Sequence, residues 1–143
     1  MTANPLVGTW RLVSFEARNA DGRVTHPYGP NPQGLLTYTT DGRMAGQLGR
    51  ADRPRLAVAD WLAASDTEIA AAARGYVAYC GTYEFRDNTI VHRVDLSLMP
   101  NWIGGELVRS VVLNGDTLTI STPYPVGGQQ QAATLVWRRI SGT

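Results

Sequence analysis

A tryptophan-bearing strand stands at each end of this chain, and that pairing constrains its fold more than any other feature. Gly8-Thr9-Trp10-Arg11-Leu12-Val13-Ser14-Phe15 opens it and Thr134-Leu135-Val136-Trp137-Arg138-Arg139 closes it. In an antiparallel sheet rolled into a barrel, the first and last strands become neighbours. A bulky aromatic from each would seal one end of such a barrel. An arginine laid across Trp10 would add a cation–π contact there. Trp10, Trp137 and Arg139 are therefore read as structural. At 143 residues the chain is expected to form one domain, 1–143, around one core.

The residues between these strands alternate and turn in the same style. Residues 8–17 read as a strand with Trp10, Leu12 and Ser14 on one face and Thr9, Arg11, Val13 and Phe15 on the other. Residues 18–33 are turn-rich, with Pro27, Pro30 and Pro32 marking an ordered, non-repetitive crossing. Strands follow at 34–39 and 43–48, joined by the Asp41-Gly42 turn. Two helices are predicted next. One spans 54–63 with Pro54 in its first turn; the other follows the capping box Ser65-Asp66-Thr67-Glu68. Strand patterning returns at 79–85, 90–98, 106–113, 117–122 and 132–140, with a Gly/Gln-rich connection over 123–131. In the strand from Ile90, the side chains of His92, Val94, Leu96 and Leu98 share one face. The whole predicts an all-β fold: an eight-stranded antiparallel barrel of about eight short strands, with a short helical pair between the third and fourth. A barrel of that size holds either packed side chains or one small ligand.

Several separated blocks carry a family resemblance. They are Leu6 to Glu16, Gly34 to Met44, Tyr79-Cys80-Gly81-Thr82-Tyr83, and His92 through Arg109 with Pro100-Asn101-Trp102-Ile103-Gly104 inside it. Together they resemble the lipocalin-like domain family of small bacterial and fungal proteins. That resemblance implies a calycin-type barrel around an internal cavity, and it keeps His92. It defines an activity far less well, because a fold of this kind hosts many functions.

His92 is the first candidate for chemistry. An inward histidine can act as acid or base near neutral pH; equally, it can be a neutral core residue hydrogen-bonded to a tyrosine or to backbone. Arg109 is the second. Both faces of its strand are apolar, so parity leaves its direction open. Pointing inward, it needs an anionic partner, either Glu16 or a carboxylate or enolate of a ligand. Tyr38, Tyr79 and Tyr83 are expected to face the same cavity and offer apolar area with one polar handle each. Asn101 and Trp102, in the loop after the histidine strand, could cap the mouth or plug the core. Met44 and Arg53 are candidates for lining the entrance near the helical insertion.

Composition excludes several classes. The formal net charge is +1, which gives no electrostatic reason to bind nucleic acid or an anionic membrane. Cys80 is the only cysteine, so no intrachain disulfide can form, and nothing activates it. His26 and His92 lie far apart with no carboxylate cluster, so neither a metal nor a cofactor is expected. No Gly-rich phosphate loop or nucleophile elbow occurs. Met1 to Pro5 lacks the basic start and apolar run of a signal peptide, so a cytoplasmic location is expected. Three functions remain open. The first is binding of a small, largely apolar organic molecule inside the barrel, with a carboxylate or carbonyl near Arg109 and His92. The second is a cofactor-free isomerase, cyclase or dehydratase with His92 as acid/base. The third is a filled barrel serving as an interaction domain. Barrel edges and helices also leave room for a homodimer.

Overall fold

The computed structural model describes residues 4–123 and 132–141. Apart from Pro123, the connection read from sequence at 123–131 lies outside the described residues, as do residues 1–3 of the N-terminal stretch. The strands are β1 (Gly8–Arg18), β2 (Val24–Thr25), β3 (Gln33–Tyr38), β4 (Arg43–Gly49), β5 (Tyr76–Arg86), β6 (Thr89–Ser97), β7 (Glu106–Asn114), β8 (Thr117–Pro123) and β9 (Ala132–Ser141). Among the described residues they form one nine-stranded sheet, which the additional β1–β9 pairing closes. All pairs are antiparallel, and the short β2 is an appendage on the end of β1. The fold is thus the expected eight-stranded, calycin-like barrel plus one extra strand.

Strand direction divides the barrel into two unlike ends. The β3–β4, β5–β6 and β7–β8 links are tight turns at one end. They use Gly42 (φ 88°), Asp87 (52°), Asn88 (62°) and Gly115 (61°), all left-handed as hairpin turns require. Residues 19–32, 50–75 and 98–105 connect strands at the opposite, open end.

The tight-turn end is sealed by the terminal strands. Trp10 is fully buried, and its Nε1 donates to the Leu6 carbonyl at 2.9 Å. The Arg139 guanidinium lies 4.2 Å from the Trp10 ring centroid. It also donates to the Val7 and Pro5 carbonyls, both at 2.7 Å, and to Asp116 at 3.1 Å. The core above this floor is built from Leu12, Phe15, Leu36, Tyr38, Met44, Ile90, Val111, Leu118, Ile120, Leu135 and Trp137.

Two β-bulges correct the alternation read from sequence. On β1, Leu12 pairs with Trp137 and Ser14 with Val136, which leaves Val13 as the extra residue. Parity inverts there, so Phe15 and Ala17 are buried on the same side as Trp10 and Leu12. On β6, Cys80 pairs with Leu96 and Gly81 with Val94, so Asp95 is extra. His92 and Val94 face inward, whereas Leu96 is turned out and is 65% exposed. Gly81 makes this bulge possible, because a Cβ there would collide with the Arg93 carbonyl.

The helical insertion is also simpler than expected. α1 (Asp66–Arg74) forms with its capping box intact: Ser65 Oγ accepts from the Glu68 amide, and Glu68 reaches back to the Ser65 amide. The helix expected over 54–63 is only a 3-10 turn at Trp61–Ala63, capped by Asp60. Trp61 and Leu62 remain exposed, so no buried face offsets the cost of helix nucleation. Instead, Glu68 accepts from the Ala57 amide at 2.8 Å and ties this segment to α1. Among the described residues, no helix is long and apolar enough to cross a membrane.

Candidate functional site

The barrel interior is not filled. It holds a cavity of about 730 Å³ whose apolar wall includes Phe15, Leu36, Val77, Ile120, Leu135 and Trp137. Tyr28, Met99 and Trp102 stand where the cavity reaches the open end. Its polar lining includes Tyr79, His92 and Arg109, on the consecutive strands β5, β6 and β7, together with Gln47, Glu106 and Thr122. Ligand sites typically have this size and this mixture of apolar wall and few polar groups.

A column of aromatic rings runs from the sealed end to the mouth. Tyr83 packs on Tyr38 at 4.6 Å between centroids, and Tyr38 and Tyr79 lie 5.7 and 5.6 Å from His92. Tyr79 then meets Trp102 edge-on at 5.7 Å. Register sets this order. Tyr83 pairs with His92 across β5 and β6, while Tyr79 lies two inward positions nearer the open end.

His92 is 2% exposed. Its Nε2 lies 2.8 Å from the Tyr38 hydroxyl and its Nδ1 2.8 Å from the Tyr79 hydroxyl. Burial, reinforced by the Arg109 charge, pushes its pKa down to about 3. Burial pushes the Tyr79 phenol up to about 12 against the opposing pull of Arg109, and the Tyr38 phenol goes up for the same first reason. All three groups are therefore neutral at physiological pH.

The structure settles the direction of Arg109. Val108 and Val112 are 55% and 66% exposed on the outside of β7, so Arg109 falls on the inner face with Val111. It lines the cavity diagonally from His92, since Ile90 pairs with Arg109 and His92 with Leu107. Its Nη1 donates to the Val108 carbonyl at 3.2 Å, and none of the ion pairs among the described residues includes it. Desolvation lowers its pKa. Glu16, the structural partner considered from sequence, is exposed on the outer face and lies 3.8 Å from His26.

The other sequence-predicted residues separate by height along the barrel. Tyr38 lies behind His92, fully buried, and reaches the cavity through it. Tyr83 belongs to the floor: its hydroxyl accepts from Asn4 Nδ2 at 2.8 Å and donates to the Thr39 carbonyl at 2.9 Å. Met44 is a buried core residue outside the cavity lining. Arg53 sits outside the barrel, 5.1 Å over the Tyr76 ring, beside a separate surface groove of about 450 Å³. Asn101 is exposed on the 3-10 turn Pro100–Trp102, whereas Trp102 lines the cavity. Sequence reasoning missed most of the apolar wall, which looks like any core. It also missed Gly46, which faces Tyr79 across β4 and β5 and leaves the cavity open; a glycine inside a strand was the available signal. Trp137, read only as structural, lines the wall as well, and its buried Nε1 has no hydrogen-bond partner among the described residues. Among the described residues, no cluster of three His, Cys, Asp or Glu could hold a metal ion.

A model of the lipocalin-like domain matches residues 7–140. The chain belongs to the lipocalin-like domain family. This lipocalin-like protein is 34% identical over 107 residues to the 4'-hydroxy-3'-methoxypropiophenone carrier protein of Aspergillus oryzae, an overlap of 68% of its own length and 96% of that protein. Against the crystal structure of an uncharacterized protein from Bacteroides eggerthii, the lipocalin-like chain gives a TM-score of 0.46 at 15% identity, covering 94% of this chain and 98% of that one.

Proposed function

We propose that this lipocalin-like barrel binds and carries a small, largely apolar organic molecule in its interior, with an oxygen function directed at Tyr79, His92 and Arg109. The observation that carries this reading is the cavity of about 730 Å³, largely apolar-walled with a few polar groups. The similarity to a fungal protein named as a carrier of a phenolic aryl ketone supports it. Such a ligand has an aromatic body for the apolar wall and a carbonyl for the polar patch. The reading in which His92 acts as acid or base gains less support. Both its ring nitrogens are engaged by tyrosine hydroxyls, and its pKa of about 3 leaves it a weak base.

Titration of intrinsic tryptophan fluorescence with 4'-hydroxy-3'-methoxypropiophenone and with the neutral dye Nile red tests the proposal. Saturable binding of either probe, lost in the cavity-filling variant Val77→Trp with unchanged circular dichroism, is the expected result. Binding that survives Val77→Trp places the ligand elsewhere, and no saturable binding of either probe removes the carrier reading.

A further inference from the structure

The buried hydrogen-bond chain has a direction, and counting protons finds it. Tyr38, His92 and Tyr79 are neutral, so each brings one polar hydrogen. Two hydrogen bonds join them, at 2.8 Å each. Three hydrogens and two bonds leave one O–H without a place in the chain, on whichever tyrosine accepts from the imidazole. Tyr38 is 1% exposed, and its hydroxyl has His92 as its hydrogen-bond partner. If it accepted from Nε2–H, its own hydrogen would be stranded in the core, a costly arrangement. Tyr38 therefore donates to Nε2. The imidazole carries its proton on Nδ1 and donates it to the Tyr79 oxygen. The remaining O–H, that of Tyr79, points away from His92, and Tyr79 lines the cavity.

Arg109 lines the same cavity; Glu106, the carboxylate in that lining, pairs with Arg93 at 3.5 Å, and no ion pair among the described residues includes Arg109. A half-buried, unpaired guanidinium attracts an anion, and a fixed O–H donor beside it adds direction. We propose that Tyr79 and Arg109 form an oxyanion-recognising subsite, with Tyr38 and His92 as positioning residues that fix the Tyr79 hydroxyl as a donor. The ligand of this barrel then bears a deprotonated oxygen, a carboxylate or an acidic enolate, on an apolar body. This inference rests on the carrier reading above and narrows its ligand class.

Two measurements test it. The first is a long-range ¹H–¹⁵N correlation spectrum of the histidine-labelled protein. Protonated Nδ1 and unprotonated Nε2 at His92 are expected, and protonated Nε2 overturns the assigned direction. Tyr38→Phe removes the bias and is expected to mix the tautomers while Tyr79 and Arg109 stay in place.

The second is calorimetry with four probes that share an aryl body: phenylpropionate, phenylcyclohexanedione (an enolate at neutral pH), phenylpropanol and phenylpropylamine. At least one anion is expected to bind on the order of tenfold tighter than the alcohol, as a charge-assisted hydrogen bond gives. The tighter of the two anions identifies the oxygen source. Arg109→Gln is expected to abolish the preference and Tyr79→Phe to reduce it. Equal binding of acid, alcohol and amine overturns the subsite and leaves the carrier reading standing. Binding of none of the four overturns the subsite, and the titration with the aryl ketone and Nile red then decides the carrier reading.

Discussion

Arg139 lies against the Trp10 ring at 4.2 Å while its guanidinium ties down the Val7 and Pro5 carbonyls. One side chain of the last strand thus fixes the ring, the approach to the first strand and, through Asp116, the β7–β8 turn. Arg139→Ala is expected to destabilise the protein by about 2–4 kcal/mol, the sum of a partly buried cation–π contact and charge-assisted hydrogen bonds. Arg139→Lys should recover less than half of this, because one ammonium cannot reproduce the fork. Urea denaturation reads both; a loss under 1 kcal/mol would show the contacts to be ornamental.

Gly81→Ala should cost about 3 kcal/mol or force the β6 bulge to rearrange, because the collision is with Arg93 backbone rather than a movable side chain. Gly22→Ala serves as a comparison: nothing lies within 4 Å of a Cβ there, and only its φ of 86° is strained. Denaturation midpoints falling equally in both variants would remove the steric account of the bulge.

His92 titrates in a defined window. Its pKa falls from 6.5 to about 3 on folding, so the unfolded chain takes up the proton first as pH drops. The stability this group contributes is complete above about pH 6.5 and drains as pH falls towards about 3. Between pH 7 and 5 the wild type should lose about 2 kcal/mol more than His92→Asn, at roughly 1.4 kcal/mol per pH unit. Parallel pH profiles for the two proteins would mean that His92 is not held neutral by burial.

Arg109→Leu is predicted to raise the stability of the free protein by about 1 kcal/mol, since a desolvated cation without a counter-ion is replaced by matching apolar surface. Thermal melts without added ligand decide this. A destabilised variant would mean that the guanidinium has a stabilising role in the empty barrel.

Trp102→Ala should leave the fold intact, because the residue sits on a short turn outside the sheet and meets Tyr79 only by its edge. Ligand dissociation is expected to speed up by about tenfold with little change in association, as interface truncations usually act on the off-rate. Stopped-flow displacement of Nile red reads both rates, and an unchanged off-rate would remove Trp102 from the mouth.

Strand positions were legible in the sequence because alternation and the turns at Asp41-Gly42, Asp87-Asn88 and Asn114-Gly115 are local signals. The bulges at Val13 and Asp95 were not, since an extra residue inverts parity without altering composition. That is why Phe15 and Leu96 were assigned to the wrong faces. Arg109 could not be oriented, because the outer face of β7 is as apolar as the inner: Val108 and Val112 sit in solvent. Tyr79 and Tyr83 share a face, yet one reaches the cavity and the other props the floor. Height along a barrel is set by inter-strand register, which no single strand encodes. The helix read over 54–63 failed for want of a surface to cover, a tertiary fact rather than a propensity.

Closure of β1 onto β9 joins segments more than a hundred residues apart along the chain. Contacts so remote in sequence make folding slow and late. Until β9 pairs with β1 the sheet has two free edges and no sealed end, so the compartment that would hold cargo comes into existence only with the pairing of the last of the nine strands. Any cargo would then enter a barrel already closed, by the end where the long connections lie.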